Sequence, residues 1–338
     1  MVLRILGFSL ATVFAAVLTL PLFSSAQSLG GSIGDNNDNA FTISARPQYP
    51  APYSQATLSV LSSSLDLTNA IMTASVADKE IYKGAVQPVA ISLGKAGSVA
   101  SVKVTLSVNG LNYSQILVIQ PQDVVLVAEP ISSAPPLYPG KPSVPLEGSV
   151  RVVAIANLKD AGGKAINTDA LSYAWTVDGT QIANASGIGK ETVMVASPLQ
   201  YRKRNVSVTV QSQNGSLVGG ASLSLTAQEP VVRIYKNDPL LGIRYDHALA
   251  DSYAIAGAET TFYAAPFSLP TTSGAPFIQW FLNGAAVQTG NSVTLRPAGS
   301  GQGDSSLSLV ASSGNSATAS ANLLLSFGTQ SGFNFFGL

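Results

Sequence analysis

The side chains able to do chemistry are few and scattered. His247 is the sole histidine, and it follows Asp246 in the run Arg244-Tyr245-Asp246-His247. An Asp-His pair is the orienting carboxylate and base of a hydrolytic triad. Such a pair must face an activated serine, and no Gly-x-Ser-x-Gly elbow stands where a strand would meet a helix. One histidine cannot supply a two-histidine zinc motif, and with 0 cysteines the chain has no thiol nucleophile and no thiolate metal ligand. Glycoside hydrolysis needs two carboxylates across a sugar cleft. The 18 acidic residues stand mostly at turns and junctions, where Asp closes local hydrogen bonds. Asp35-Asn36-Asn37-Asp38-Asn39 offers oxygen donors without the alternating spacing or closing Glu of a calcium loop. Gly187-Ile188-Gly189 and Gly301-Gln302-Gly303 precede no helix, so they read as turn glycines rather than phosphate loops. The chain therefore reads as a non-enzyme, with no catalytic, metal or cofactor-binding residue.

Charge narrows the partners. Lys+Arg 18 balances Asp+Glu 18, charged residues make up 11% of the chain, and mean hydropathy is +0.28. A neutral chain has no long-range field to gather nucleic acid or anionic lipid, which leaves other proteins or cell-surface polymers. The one basic cluster, Arg202-Lys203-Arg204, is expected on a solvated loop or an edge strand.

The elements come from one phrase. In Tyr173-Ala174-Trp175-Thr176-Val177-Asp178-Gly179, alternation places Tyr173, Trp175 and Val177 on one strand face, and Asp-Gly supplies a tight hairpin turn. The phrase recurs as Ile278-Gln279-Trp280-Phe281-Leu282-Asn283-Gly284, and more faintly at Met72 to Ile81, with Ala74 at the Trp position. Ala74, Trp175 and Trp280 stand 101 and then 105 residues apart. A second feature keeps step: alternating strands close at Asn109-Gly110, Asn214-Gly215 and Gly314-Asn315. A period near 100 residues is the length of one immunoglobulin-like sandwich, so the chain is expected to be all-β, three sandwiches in tandem. Trp175, Trp280, Val177 and Leu282 are the expected core anchors. Met72, Ile81 and Tyr82 would fill part of the space that a Trp leaves in the first module.

Boundaries follow composition. Arg4, an uncharged apolar run, Pro21 and Ser24-Ser25-Ala26 describe a signal peptide over 1–26, cut after Ala26. Residues 5–23 are also long enough to be retained as a membrane anchor. In both cases the remainder is exported, to the extracellular space or the cell surface. A leader over 27–45 precedes modules at 46–128, 129–228 and 229–328, the first two opening on Tyr49-Pro50 and Tyr138-Pro139. Pro-rich junctions predict a semi-rigid array. A tail over 329–338 carries Phe333, Phe335 and Phe336.

Aromatic-x-Trp-x-Val-Asp-Gly, followed by a Val-rich strand that ends in Asn-Gly, resembles the bacterial immunoglobulin-like and PKD-like domains of cell-surface proteins. The resemblance spans the three modules and departs at Ala74. It implies a spacer or binding role without catalysis. The other role consistent with such modules is an accessory subunit of a pilus or secretion machine, with polysaccharide binding as a third.

Overall fold

The computed structural model describes residues 40–136, 138–298, 302–314 and 317–328. The export segment, most of the leader and the Phe-rich tail lie outside them. Among the described residues the regular structure is β, apart from single 3-10 turns at Thr168–Ala170 and Ala183–Ala185.

The first sandwich is built from β1 (Thr42–Arg46), β2 (Gln55–Leu61), β3 (Ile71–Val76), β4 (Lys79–Ala85), β5 (Val89–Ser92), β6 (Ala100–Val108) and β7 (Leu111–Ile119). Its sheets run β1-β2-β5 and β4-β3-β6-β7, the two-layer immunoglobulin-like arrangement. Strict alternation is why it closes: Val102, Val104 and Leu106 of β6 point inward while Lys103 faces water.

The second sandwich comprises β8 (Asp123–Pro130), β9 (Ser149–Asn157), β10 (Ser172–Val177), β11 (Thr180–Gln181), β12 (Gly187–Ile188), β13 (Thr192–Ala196), β14 (Lys203–Gln211) and β15 (Val218–Thr226). One sheet runs β13-β9-β8 and the other β11-β10-β14-β15, with β12 also on β10.

The third comprises β16 (Val231–Asp238), β17 (Gly242–Ile243), β18 (Ser252–Ile255), β19 (Thr260–Phe267), β20 (Phe277–Leu282), β21 (Ala285–Thr289), β22 (Ser292–Leu295), β23 (Gly303–Ser313) and β24 (Ala317–Phe327). Its sheets are β17-β16-β19-β22 and β18-β24-β23-β20-β21. Here β18 pairs in parallel with β24 and so covers an edge that β7 leaves open in the first sandwich.

The repeat holds at the level of register. Ala74 faces Val104, Trp175 faces Val208 and Trp280 faces Leu309, each across the same strand pair. Both indoles are fully buried, and each N–H donates to a backbone carbonyl just ahead of an edge strand of the facing sheet: Trp175 to Lys190 before β13 and Trp280 to Gly290 before β22, both at 2.8 Å. Val177 and Leu282 are half-buried and pack on the same cores. In the first sandwich Met72 is buried and Tyr82 packs on the core, but Ile81 is exposed, because the bulge after Ala74 turns it outward.

Two boundaries move. Phe41 is buried in the first core and β1 pairs with β2, so residues expected in the leader belong to the first module. Composition hid this: one Phe among Gly, Ser and Asn is enough when it lies under a sheet. Likewise β8 pairs along its whole length with β9, so Asp123–Pro130 opens the second sandwich rather than closing the first.

The turns divide into two kinds. Asn109-Gly110, Asp178-Gly179 and Asn283-Gly284 all have positive φ at both residues, the two-residue hairpin turn that follows the strand twist. Asn214-Gly215 differs. Only Gly215 is left-handed, and the loop runs from Ser212 to Leu217. Asn214 Oδ1 accepts from the Ser212 and Ser216 hydroxyls at 2.8 Å, which favours the longer loop over the tight turn.

Candidate functional site

The Tyr-Pro phrases do not open the modules. Tyr49 lies between β1 and β2, and Tyr138 between β8 and β9, in loops at the far end of their own sandwich. Each reaches the next one. The Tyr49 ring lies against Gly220 of β15, where an added Cβ would overlap the ring. The neighbouring Gly219 gives the same clearance to Gln122. Tyr138 meets Phe267 of β19 edge-on, centroids 5.3 Å apart, and the Arg233 guanidinium carbon lies 5.7 Å from the same Phe267 ring.

Polar contacts close both junctions. The Gln122 side chain is buried and clamps the Lys159 backbone, donating to its carbonyl at 2.9 Å and accepting from its N–H at 2.8 Å. Gly97 at φ +82 lies so close to the Asp160 carbonyl that no side chain fits there. At the second junction Ser133 N–H donates to Leu269 O at 2.7 Å, Ser268 N–H to Ser133 O at 3.0 Å and Thr271 N–H to Ile131 O at 3.1 Å. These are sheet-like main-chain bonds made between modules.

The first junction also forms a half-open cleft of about 720 Å³ between the Tyr49 loop and the outer face of the β10-β14-β15 sheet. Pro47, Gln48 and Tyr49 form one wall. The other is lined by outward-facing residues including Ser172, Thr176, Ser207, Thr209 and Ser222. Among the described residues no charged side chain lines it. A volume of this order lies in the range of small-molecule sites, which concentrate at domain interfaces. Nothing in the sequence pointed here. The cue would have been the pair Gly219-Gly220 inside a strand, where glycine signals close approach by another backbone or side chain.

The other candidates separate. His247 and Asp246 lie on the exposed segment between β17 and β18. Asp246 is held by Arg244 through two 3.0 Å bonds, which lower its carboxyl below the usual range. Arg204 is neither on a loop nor on an edge. It enters the central strand β14, donates to Asp178 Oδ2 at 3.0 Å and to Ala196 O at 2.8 Å. Arg202 is exposed beside Tyr201, which is 92% exposed with φ +61. No group of acidic, His or Cys residues suited to a metal occurs among the described residues.

The third module uses its corresponding loop differently. Tyr245 folds back on its own sheet, its ring centroid 5.2 Å from Tyr235 and 6.3 Å from Tyr263. Burial pushes the Tyr245 phenol up to about 12, and its neighbouring tyrosines add to this. The loop tip leaves Leu240 93% and Leu241 69% exposed.

No family model and no curated protein matches this chain. Solved structures similar to it are tandem arrays. Three N-terminal domains of the bacteriophage RB49 highly immunogenic outer capsid protein are 13% identical, covering 86% of this chain and 100% of that one, with a TM-score of 0.24. The central fibronectin-III array of RIM-binding protein is 11% identical, covering 86% and 98%, with a TM-score of 0.27. The four N-terminal Ig domains of Dscam1 isoform 8.4 are 12% identical, covering 85% and 73%, with a TM-score of 0.22. Likenesses this distant transfer no function to this chain.

Proposed function

We propose that the chain is a non-catalytic array of immunoglobulin-like modules, exported and displayed at the cell surface as a spacer that engages proteins or surface polymers. The observation that carries this reading is the closure of both junctions, the second by main-chain bonds and the Tyr138–Phe267 contact, the first by Tyr49 seated on Gly220 and the buried Gln122 clamp. A spacer must hold its parts at a distance, and hydrogen-bonded junctions do so where a flexible linker would not. Export rests on the basic start, apolar run and Ser24-Ser25-Ala26 of the sequence. The exposed Leu240 and Leu241 favour the second reading, an accessory subunit of a pilus or secretion machine. In the first two modules the corresponding loop engages a neighbour.

The test is small-angle scattering of the mature chain beside Tyr49→Ala, which removes the clasp without placing a Cβ against the Val208 carbonyl of the receiving sheet. The parent is expected to give one sharp distance distribution, and the variant a broader one with unchanged far-ultraviolet dichroism. Identical curves for the two would sink the spacer reading. So would recovery of the intact chain, Met1 included, from the soluble cytoplasmic fraction.

A further inference from the structure

The cleft at the first junction has a chemistry of its own. Its floor is a sheet face on which Ser172, Thr176, Ser207, Thr209 and Ser222 present hydroxyls. Gln48, Gln181 and Gln211 add amides that both donate and accept. The half-buried Tyr49 ring stands at one end. We propose that this cleft is a binding site for a neutral oligosaccharide. The proposal goes beyond the spacer reading and does not depend on where the array is displayed.

Three observations select the ligand class. The lining carries no charge, so nothing in it would neutralise a phosphate, a carboxylate or an ammonium; nucleotides, acidic glycans and charged peptides find no partner. The floor strands β10 and β14 are paired on both sides, so their main-chain groups are already used, and only β15, at the rim of the floor, is a sheet edge. An extended peptide adds to a sheet through free edge groups and then seats apolar side chains in pockets. The face of β10 and β14, which makes most of the floor, offers neither. What it offers is a dense set of side-chain hydroxyls and amides beside an aromatic ring, which matches a ring-shaped ligand with hydroxyls on its rim and C–H groups on its face.

The roles then divide. Thr176, Ser207 and Ser222, on three adjacent strands, meet the hydroxyl rim across the width of the floor. Tyr49 closes the end of the cleft, and Gly220 fixes its place, since the ring rests where that face of β15 has no side chain. The site therefore exists only while the first junction is closed.

The experiment is calorimetric titration of the full mature chain with hexasaccharides of glucose, mannose and xylose in β-1,4, β-1,3 and α-1,4 linkages, each to about 10 mM. At least one is expected to bind saturably, with an affinity unchanged between about 0.05 and about 0.5 M salt, because no charge is involved. Ser222→Lys and Thr176→Lys project a long cation into the cleft from exposed or half-exposed positions on the outer sheet face, outside the core. Each is expected to weaken binding at least about tenfold with thermal melting unchanged. Tyr49→Ala is less informative alone, since Tyr49 also holds the junction. The proposal is overturned if no neutral hexasaccharide binds, if binding survives both lysine variants, or if affinity falls steeply with salt. It is also overturned if a neutral Ser/Gly/Thr decapeptide competes at equal concentration.

Discussion

The first sandwich and the other two solve one packing problem with different side chains. At the same register position the second and third carry Trp175 and Trp280, and the first carries Ala74, itself fully buried. The first module fills the space from outside the strand, with Phe41 ahead of β1, Met72 two residues earlier and Tyr82 from β4. Its hairpin turn is also poorer. Asp178 and Asn283 begin their turns in the left-handed region and accept, at 2.8 Å, from the N–H of Asn205 in β14 and Ser306 in β23, the strands paired with the Trp strands. Ala77 stands at that place with φ +47 and no acceptor to offer, followed by Asp78 rather than Gly at φ +63. A single large anchor makes a core independent of what precedes it. A core assembled from several pieces depends on the most distant piece.

The largest test of that contrast is removal of the anchors. Trp175→Ala and Trp280→Ala should each cost about 3–5 kcal/mol, confined to their own module. Against roughly 5–15 kcal/mol for a domain, either could unfold one sandwich. Calorimetry of the whole chain should show one transition move while the others stay. Free acrylamide quenching of both indoles in the parent would refute their burial.

Next in size is the dependence of the first module on its own beginning. Phe41→Ala should cost about 3 kcal/mol in that module alone, the lower end for a buried Phe. A fragment covering 40–121 should melt well above one covering 46–128, which lacks both Phe41 and most of β1. Even the longer fragment should melt below the second and third modules. If it melts highest, equivalence of Ala74 with the two tryptophans confers no weakness, and the contrast fails.

The smallest effect lies two residues before the anchor, where the modules carry Met72, Tyr173 and Ile278. Burial pushes the Tyr173 phenol up to about 12, with Glu191 and Asp169 adding to it. The folded module keeps that proton at pH values where the unfolded chain, ionising near 10, has lost it. Stability of the second module is therefore intact below pH 10 and falls as pH rises towards 12. Tyr173→Phe should abolish this loss. It should cost little at neutral pH, since the buried hydroxyl has no hydrogen-bond partner among the described residues. Tyr245 gives the third module an alkaline loss of its own, so the comparison is made on the second transition. A parent transition flat from pH 9 to 12 would contradict the burial argument.

Much of the fold was legible because alternation and turn chemistry are local. The Trp strands, the Val-rich strands and the Asp-Gly and Asn-Gly turns each announce themselves within ten residues. The rest was not, because it depends on contacts between distant segments. Phe41 looks like part of a polar leader until β2 is placed beside it. Asp123–Pro130 reads as the end of one module until β9 claims it. Tyr49-Pro50 and Tyr138-Pro139 were visible as similar phrases, but their purpose lies in the following module. The cleft is the extreme case, since its two walls are more than 100 residues apart in sequence and neither looks unusual alone.

The tyrosine loops have a consequence for ancestry. Each clasp is written in two places, a loop in one module and a matched surface in the next: Tyr49 with the side-chain-free Gly220, Tyr138 with Phe267. A duplicated or transposed copy would carry half of each match to the wrong neighbour. The order of these sandwiches is thus encoded at their borders, and recombination could not reshuffle them as interchangeable beads without rewriting both sides of a seam.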